Sequence, residues 1–486
     1  MNNIFFNLTS FINFDLKTLL TTIIYITLSI LTSIHILLNK DDVNSAGGWI
    51  ALVFLSPFIG TILYIFLGIN RVKRKGFRLR KTKNLFEKCN FNKDNILNNL
   101  QTNHKQLIVF GYNVYQQNFT FGNVINPLQN GTEAYPEMLK EIKNSKKEIL
   151  ISSYIFDYDN ETKKFIENFK IAIKNGVKIK ILIDGIGSLK FFHRSIEKKL
   201  AKINGLEFAI FLPPQIPITL PFVNLRNHRK IIIIDGKIAF FGGMNLSKHN
   251  VLINDLKNGI LDLTFKIEGP VIEQIIEVFK SDWEFTTGKT INSKYNIDKN
   301  FKISEIPARI IQDGPDNKTG SIELIIHGAI NSATKKILIV TPYFLPENNI
   351  LTAIQIAAMK NINVEIIIPK KSDCYFINLA TEANFIKLLN CGVKIYQTNL
   401  PFDHSKIFIV DDEWIFVGSS NWDVRSFKLN FESNIEIFSK SLAKKLTDIA
   451  EEKKKNAKQV TINEYKNIPL IKRIRNNACR LLTPYS

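Results

Sequence analysis

The chain has 486 residues, enough for two to four folded units with a sizeable core, and an excess of 20 positive charges. That excess favours an anionic partner, either nucleic acid or an acidic membrane surface. Its four cysteines, Cys89, Cys374, Cys391 and Cys479, are scattered with no CxxC pair, which argues against a disulfide framework or a cysteine-rich zinc site and for reduced thiols.

In chain order, Thr18 to Leu38 contains no charged residue and is long enough to span a bilayer. Gly47 to Gly68 is also uncharged and rich in Ile, Leu and Phe, and its Pro57 and Gly60 are tolerable in a membrane helix. Residues 1–70 therefore read as a membrane anchor with two transmembrane helices, about 18–38 and 47–68. The short connection between them carries Asp41 and Asp42, whereas Arg71 to Lys83 holds eight basic residues and no acid. Residues 71–106 are accordingly a basic juxtamembrane linker, suited to anionic headgroups. The positive-inside rule then places both termini and the bulk of the chain in the cytoplasm.

From Leu107 onward an internal repeat is visible. Ala134 to Phe156 reads as a helix followed by the strand EILISSYIF, and Ile322 to Phe344 as a helix followed by KILIVTPYF. A second helix and strand follow in each copy, ending in Asn175 to Ser188 and Asn361 to Asp373, and a third helix leads to LEFAIF and GVKIYQ. This alternation predicts an α/β fold of two tandem lobes, each a mixed sheet flanked by helices, over 107–290 and 306–440. Residues 441–486 form a charged helical tail, and its last part (IKRIRNNACRLLTPY) suits a solvated helix or, as a second reading, a surface-lying membrane contact.

Each copy closes on one template: His, any residue, Lys, four residues, Asp, six residues, Gly, two residues, Asn. It runs from His228 to Asn245 and from His404 to Asn421, using two of only seven histidines in the chain. The apolar runs Ile231–Ile234 and Ile238–Phe241, and likewise Ile407–Val410 and Trp414–Val417, predict two β-hairpins. Alternation puts His228 with Lys230 on one face, and His404 with Lys406. A two-residue loop at Asp235-Gly236 would set Gly243 opposite His228 with Asn245 beside it, and the same register sets Ser419 opposite His404 with Asn421 beside it. Small residues there leave room for a ligand, and His, Lys, Asn245, Ser419 and Asn421 suit a phosphate. Asp235 and Asp411 stand in the motif with the catalytic pairs His228, Lys230 and His404, Lys406, but at the strand ends they are expected to hold the turn or pair a cation. No HExxH and no carboxylate cluster with ligand spacing is present, so neither metal nor cofactor is expected.

The doubled frame resembles the signature of the phospholipase D superfamily, and the chain is similar to its bacterial cardiolipin synthase branch. Further shared stretches are Trp49, Pro57, Gly60, Tyr64 and Gly68, then NLRNHRK, Gly242 to Asn245, TPYFLP, the run Asn421 to Ser426, Asn430-Phe431-Glu432 and the ending RLLTPYS. The resemblance implies one pseudo-twofold catalytic unit in the inner membrane of a bacterium, facing the cytoplasm. It implies that two phosphatidylglycerol molecules become cardiolipin and glycerol through a phosphohistidine, with His228 as nucleophile, His404 as acid, and Asp262 and Glu432 orienting the imidazoles. A hydrolase releasing phosphatidic acid is the nearest alternative. A nuclease is disfavoured by the apolar helices and by the absence of a nucleic-acid module, so no nucleic-acid partner is expected. A non-catalytic scaffold is disfavoured because both motif copies are complete.

Overall fold

The computed structural model describes residues 16–40, 43–68, 102–187, 195–213, 225–292, 306–315, 320–466 and 468–481. The basic run Arg71 to Lys83, most of the linker that contains it, and the ending after Leu481 lie outside these. The chain divides into two compact units, 1–74 and 75–486.

In the first unit, helix Leu16–Asn39 contains a stretch, Thr18–Asn39, that is long and apolar enough to cross a membrane, and most of its large side chains are exposed. The second expected span is not one such helix. It is broken into Val43–Leu55, Pro57–Leu63 and a π-helical turn, Tyr64–Gly68. The cause is Pro57, which has no N–H to offer the Val53 carbonyl. The Ser29 hydroxyl donates to that carbonyl instead, at 3.3 Å. Two more side-chain bonds tie the segments together, Thr32 to Thr61 at 3.1 Å and His35 Nδ1 to the Tyr64 hydroxyl at 2.9 Å.

The second unit is built on one sheet. Its strands are β1 (Thr120–Gln129), β2 (Glu148–Ser153), β3 (Lys178–Asp184), β4 (Leu206–Phe211), β5 (Lys230–Ile234), β6 (Ile238–Gly242), β8 (Leu263–Glu268), β9 (Ile306–Asp313), β10 (Lys336–Val340), β12 (Asn363–Pro369), β13 (Lys394–Thr398), β15 (Ile407–Val410), β16 (Trp414–Gly418), β18 (Glu432–Phe438) and β19 (Ala457–Gln459). Among the described residues four two-residue strands stand outside it, β7 (Ile260–Leu261) paired with β14 (Phe402–Asp403), and β11 (Phe344–Leu345) paired with β17 (Trp422–Asp423). The order 4-3-2-5-6-8-1 meets 9-18-16-15-10-12-13, with β19 at the far edge. The second half mirrors the first, strand for strand, about the antiparallel β1–β9 seam. Two lobes with separate sheets were expected, but the seam fuses them into one sheet of 15 strands.

Both faces of this sheet are covered, which is why its central strands read as unbroken apolar runs. Ile231 and Ile233 pack under helices Val271–Thr287 and Lys440–Lys455, together with Ile409 and Ile415 of the other repeat. Ile232 and Ile234 face the opposite side, among Phe165, Phe169 and Phe240. Arg309 in β9 is fully buried and pairs through Nε with Glu436 of β18 at 2.7 Å, beside the seam.

Both hairpins form, but pairing resumes at Ile234↔Ile238 and Val410↔Trp414, so each loop holds three residues, not two. Two successive residues in each take a positive φ, Asp235 (54°) with Gly236 (68°), and Asp411 (52°) with Asp412 (53°). The extra residue moves the register by one and sets Gly242 opposite Lys230. Asp235 and Asp411 therefore need correcting as catalytic candidates. Their strands run from the histidine end to the turn, so they sit roughly 20 Å from the imidazoles. Each carboxylate instead clasps the corner leading into the neighbouring strand. Asp235 accepts from the N–H groups of Lys146, Lys147 and Glu148 at 2.7, 2.7 and 2.9 Å. Asp411 accepts from those of Thr334, Lys335 and Lys336 at 2.8, 2.7 and 2.9 Å.

Replacing Asp411 with Ala strands these donors, and the cost expected is about 1–3 kcal/mol. Thermal unfolding of the full-length protein in detergent should show it as a lower midpoint; an unchanged midpoint would mean that the clasp contributes nothing.

Candidate active site

Each histidine is set by backbone contact with the other repeat. Ahead of β5, the Phe431 N–H donates to the Arg226 carbonyl at 2.8 Å and the His228 N–H donates to the Phe431 carbonyl at 2.9 Å. Ahead of β15, β14 runs parallel to β7, and the His404 N–H donates to the Leu261 carbonyl at 2.7 Å. Phe431 and Leu261, whose carbonyls accept from the histidines, are each followed by a buried carboxylate. His228 Nδ1 thus lies 2.9 and 3.1 Å from the two oxygens of Glu432, and His404 Nδ1 lies 2.7 Å from Asp262 Oδ2. The carboxylates are exchanged between the repeats. With Nδ1 engaged, Nε2 of each ring is left for chemistry. The rings stand at 83° with centroids 6.4 Å apart.

Lys230 and Lys406 are buried, and each ammonium donates to the carbonyl of the histidine two residues before it. Lys406 Nζ also lies 3.0 Å from His404 Nδ1. The Asn245 side-chain carbonyl accepts from the Ile155 N–H at 3.1 Å. That of Asn421 is buried and has no hydrogen-bond partner among the described residues. Ser419 does not face an open space as expected. Its hydroxyl donates to Glu432 Oε2 at 2.5 Å and accepts from the Ser433 N–H at 3.0 Å, so it braces the carboxylate. Gly243, its counterpart, makes room for a carboxylate and not for a ligand: a Cβ there would lie 2.6 Å from Asp262 Oδ1.

Burial dominates the electrostatics. It lowers the His228 imidazole from its ordinary 6.5 to about 4, with Lys230 pushing the same way and Glu432 opposing. His404 is lowered by burial and by Lys406, against Asp262. Burial also lowers both lysines, partly offset by the carboxylates. Burial works to raise Asp262 and Glu432, but the adjoining lysines and imidazoles outweigh it and hold both below their usual range. At neutral pH the site therefore contains two carboxylates and two neutral imidazoles.

Residues 138–283 and 326–454 match the family described as cardiolipin synthase, PLD-like domain, and 27–68 match a phospholipase D-nuclease N-terminal family. A cardiolipin synthase of Clostridium perfringens is 32% identical over 457 residues, 92% of this chain and 95% of the relative. Cardiolipin synthase 1 of Staphylococcus aureus is 32% identical over 491 residues, 97% of this chain and 98% of the relative. The chain belongs to the cardiolipin synthase family. The crystal structure of a phosphatidylserine synthase from Haemophilus influenzae covers 78% of the chain, and all of its own, at a TM-score of 0.59 and 15% identity; that likeness is one of fold.

Several residues beside the family motif escape sequence reasoning. The Tyr154 ring meets that of His228 edge-on at 5.0 Å, and Tyr343 and Phe402 approach His404 at 6.5 and 5.9 Å. Their one signal is that both tyrosines lie just past a repeat strand, Tyr154 one residue after β2 and Tyr343 three residues after β10. Arg229, inside the first HxK, forms a buried ion pair with Asp282, and donates to the carbonyls of Glu432 and Asp313 at 3.0 Å each. The second repeat reverses the charges: Lys453 donates to Asp403 at 2.7 Å and to Ser405, inside the second HxK, at 3.2 Å.

Gly243→Ala should push the Asp262 carboxylate off His404 and reduce turnover by about 10-fold or more, whereas Ser419→Ala, which opens space, should cost less. Steady-state kinetics on the two variants check the order, and equal losses would remove the packing argument.

Proposed function

We propose that this chain transfers a phosphatidyl group from one phosphatidylglycerol to another through a phosphohistidine. The observation that carries the reading is the facing pair of imidazoles, each held at Nδ1 by a carboxylate of the other repeat. In the first step His228 Nε2 attacks phosphorus, the bond from phosphorus to the headgroup glycerol breaks, and His404 as imidazolium gives its proton to the departing alkoxide. In the second, neutral His404 takes the proton from a hydroxyl of another phosphatidylglycerol, whose oxygen attacks phosphorus as the P–N bond breaks. Lys230, Lys406 and the Asn245 and Asn421 amides hold the non-bridging oxygens as charge grows on them.

An imidazole lowered by burial must still be protonated to act as the acid, and the substrate supplies the reason. A phosphodiester anion about 4 Å away, at an effective dielectric of about 20, stabilises an imidazolium by about 4 kcal/mol. That opposes the burial and the Lys406 charge that lower His404. Binding the anion therefore favours the charged acid that the empty site disfavours.

We further read the first unit as the membrane anchor. Helix Leu16–Asn39 crosses the bilayer, and the broken second segment returns beside it through the Ser29, Thr32 and His35 bonds. The basic run Arg71 to Lys83 then keeps the second unit on the cytoplasmic side of a bacterial cell membrane.

Purified protein given labelled phosphatidylglycerol should form cardiolipin and free glycerol, and His228→Ala or His404→Ala should reduce this by about 10²–10⁴-fold or more. Phosphatidic acid without cardiolipin would sink the transfer reading. Because the free enzyme must hold His228 neutral and His404 protonated, kcat/KM should rise as pH falls below neutral and drop only near 4, where His228 takes up a proton. An acid limb at 6.5 would show an imidazole that burial does not perturb.

A further inference from the structure

The helix Leu470–Leu481 has four bases, Lys472, Arg473, Arg475 and Arg480, and no acid. At 100° per residue Leu470, Ile471, Ile474, Ala478 and Leu481 fall on one side of it. A helix on a water-soluble surface turns such a stripe inward, but here it faces out. Leu470, Ile471, Ile474 and Leu481 are 68, 81, 59 and 75% exposed, while Asn476 on the opposite side is 4% exposed. The polar side docks the helix onto its neighbour, Tyr375–Leu389. Asn476 Nδ2 donates to Glu382 Oε2 at 3.1 Å, and Arg480 Nη1 donates to Asn384 Oδ1 at 3.4 Å.

The neighbouring helix adds two exposed aromatics at its start, Tyr375 and Phe376, with ring centroids 6.1 Å apart. Just before them, Asp373 accepts from the Tyr343 hydroxyl, and the Tyr343 ring stands 6.5 Å from that of His404. The exposed aromatics therefore connect to the imidazole pair through one short stretch of chain.

We propose that Leu470–Leu481, with Tyr375 and Phe376, is a docking surface that beds into the headgroup and acyl boundary of an anionic bilayer. Charge selects this occupant over another protein. Exposed Arg473 and Arg475 flank the stripe on either side and Lys472 is exposed beyond it, so apolar side chains enter the acyl layer while cations stay level with the phosphates. The Tyr375 ring, with its polar hydroxyl end, suits the same depth, and the Phe376 ring adds apolar surface beside it. Docking through Asn476 and Arg480 leaves the apolar stripe free for lipid. The surface is argued apart from the histidine chemistry, and its main test needs no turnover.

The test uses the full chain in vesicles, with Cys89, Cys374, Cys391 and Cys479 changed to Ser and an environment-sensitive dye on Ile474→Cys. In vesicles of phosphatidylcholine with phosphatidylglycerol, the dye should be quenched by a spin label placed shallowly on the acyl chain and shielded from aqueous iodide. The lipid quenching should be about twofold or more stronger than in phosphatidylcholine alone. Free quenching by iodide, shielding from both quenchers (a second copy or another protein segment covering the face), or equal lipid quenching in both vesicles would each overturn the proposal. The double variant Ile471→Glu, Ile474→Glu supplies an independent arm. It should lose about tenfold in turnover on bilayer phosphatidylglycerol and keep its turnover on a monomeric short-chain analogue, and unchanged turnover on the bilayer would count against the surface.

Discussion

The exchange of carboxylates between the repeats is the constraint on which the site depends. Neither repeat holds its own histidine: His228 is held by Glu432 and His404 by Asp262. Each pair is reached by a short parallel bridge, Asn227 with Phe431 and Asp403 with Leu261, which delivers the carboxylate one residue later. Half of the unit would thus leave an imidazole without its acceptor and a buried carboxylate without its donor, the costlier loss in a low-dielectric interior. The β1–β9 seam and the Arg309–Glu436 pair are therefore part of the site's geometry as well as of the fold. Arg229 makes the same connection at closer range, since its guanidinium reaches helix Val271–Thr287 and the backbones of β9 and β18 from within the first motif.

That geometry also sets the charge state. Burial keeps both imidazoles neutral and would by itself keep the carboxylates protonated, but the adjacent lysines and imidazoles reverse the second effect. A phosphodiester adds one negative charge, and a neutral imidazole can answer it by taking up a proton. In the proposed transfer the substrate thus helps to make the acid that serves it.

Much of this was legible from local pattern. The continuous apolar runs marked the hairpins, the alternating helices and strands marked the repeat, and the doubled spacing marked both histidines, both lysines and both asparagines. What was not legible depends on partners far away in sequence. Glu432 lies 204 residues from His228, and Asp262 lies 142 from His404; no local rule pairs them crosswise. The loop length escaped because Asp-Gly normally signals two residues, whereas here Asp235 is drawn onto the corner ahead of β2 by three N–H groups. The same clasp removes Asp235 and Asp411 from the chemistry although the motif includes them. The second apolar span was misjudged because Pro57 was taken as tolerable within one membrane helix, while the backbone breaks its ladder there.

The repeats are alike enough to share a template, so their differences carry information. Glu432 is one methylene longer than Asp262, and Ser419 fills the place that Gly243 leaves empty. The longer carboxylate accepts from Ser419 and Asn430 as well as from His228. The shorter one needs the vacated Cβ space and takes the Leu263 N–H at 2.7 Å. Lys406 Nζ stands 3.0 Å from the Nδ1 of its own histidine, whereas Lys230 approaches the ring of Tyr154, at 5.4 Å. The two imidazoles consequently sit in different fields although their sequence frames are identical. A symmetric site would give a phosphodiester two equivalent ways to react, with either ring as nucleophile. Here Gly243 against Ser419 and Asp262 against Glu432 remove that equivalence, so a division of roles can be built into the empty site before any lipid enters it.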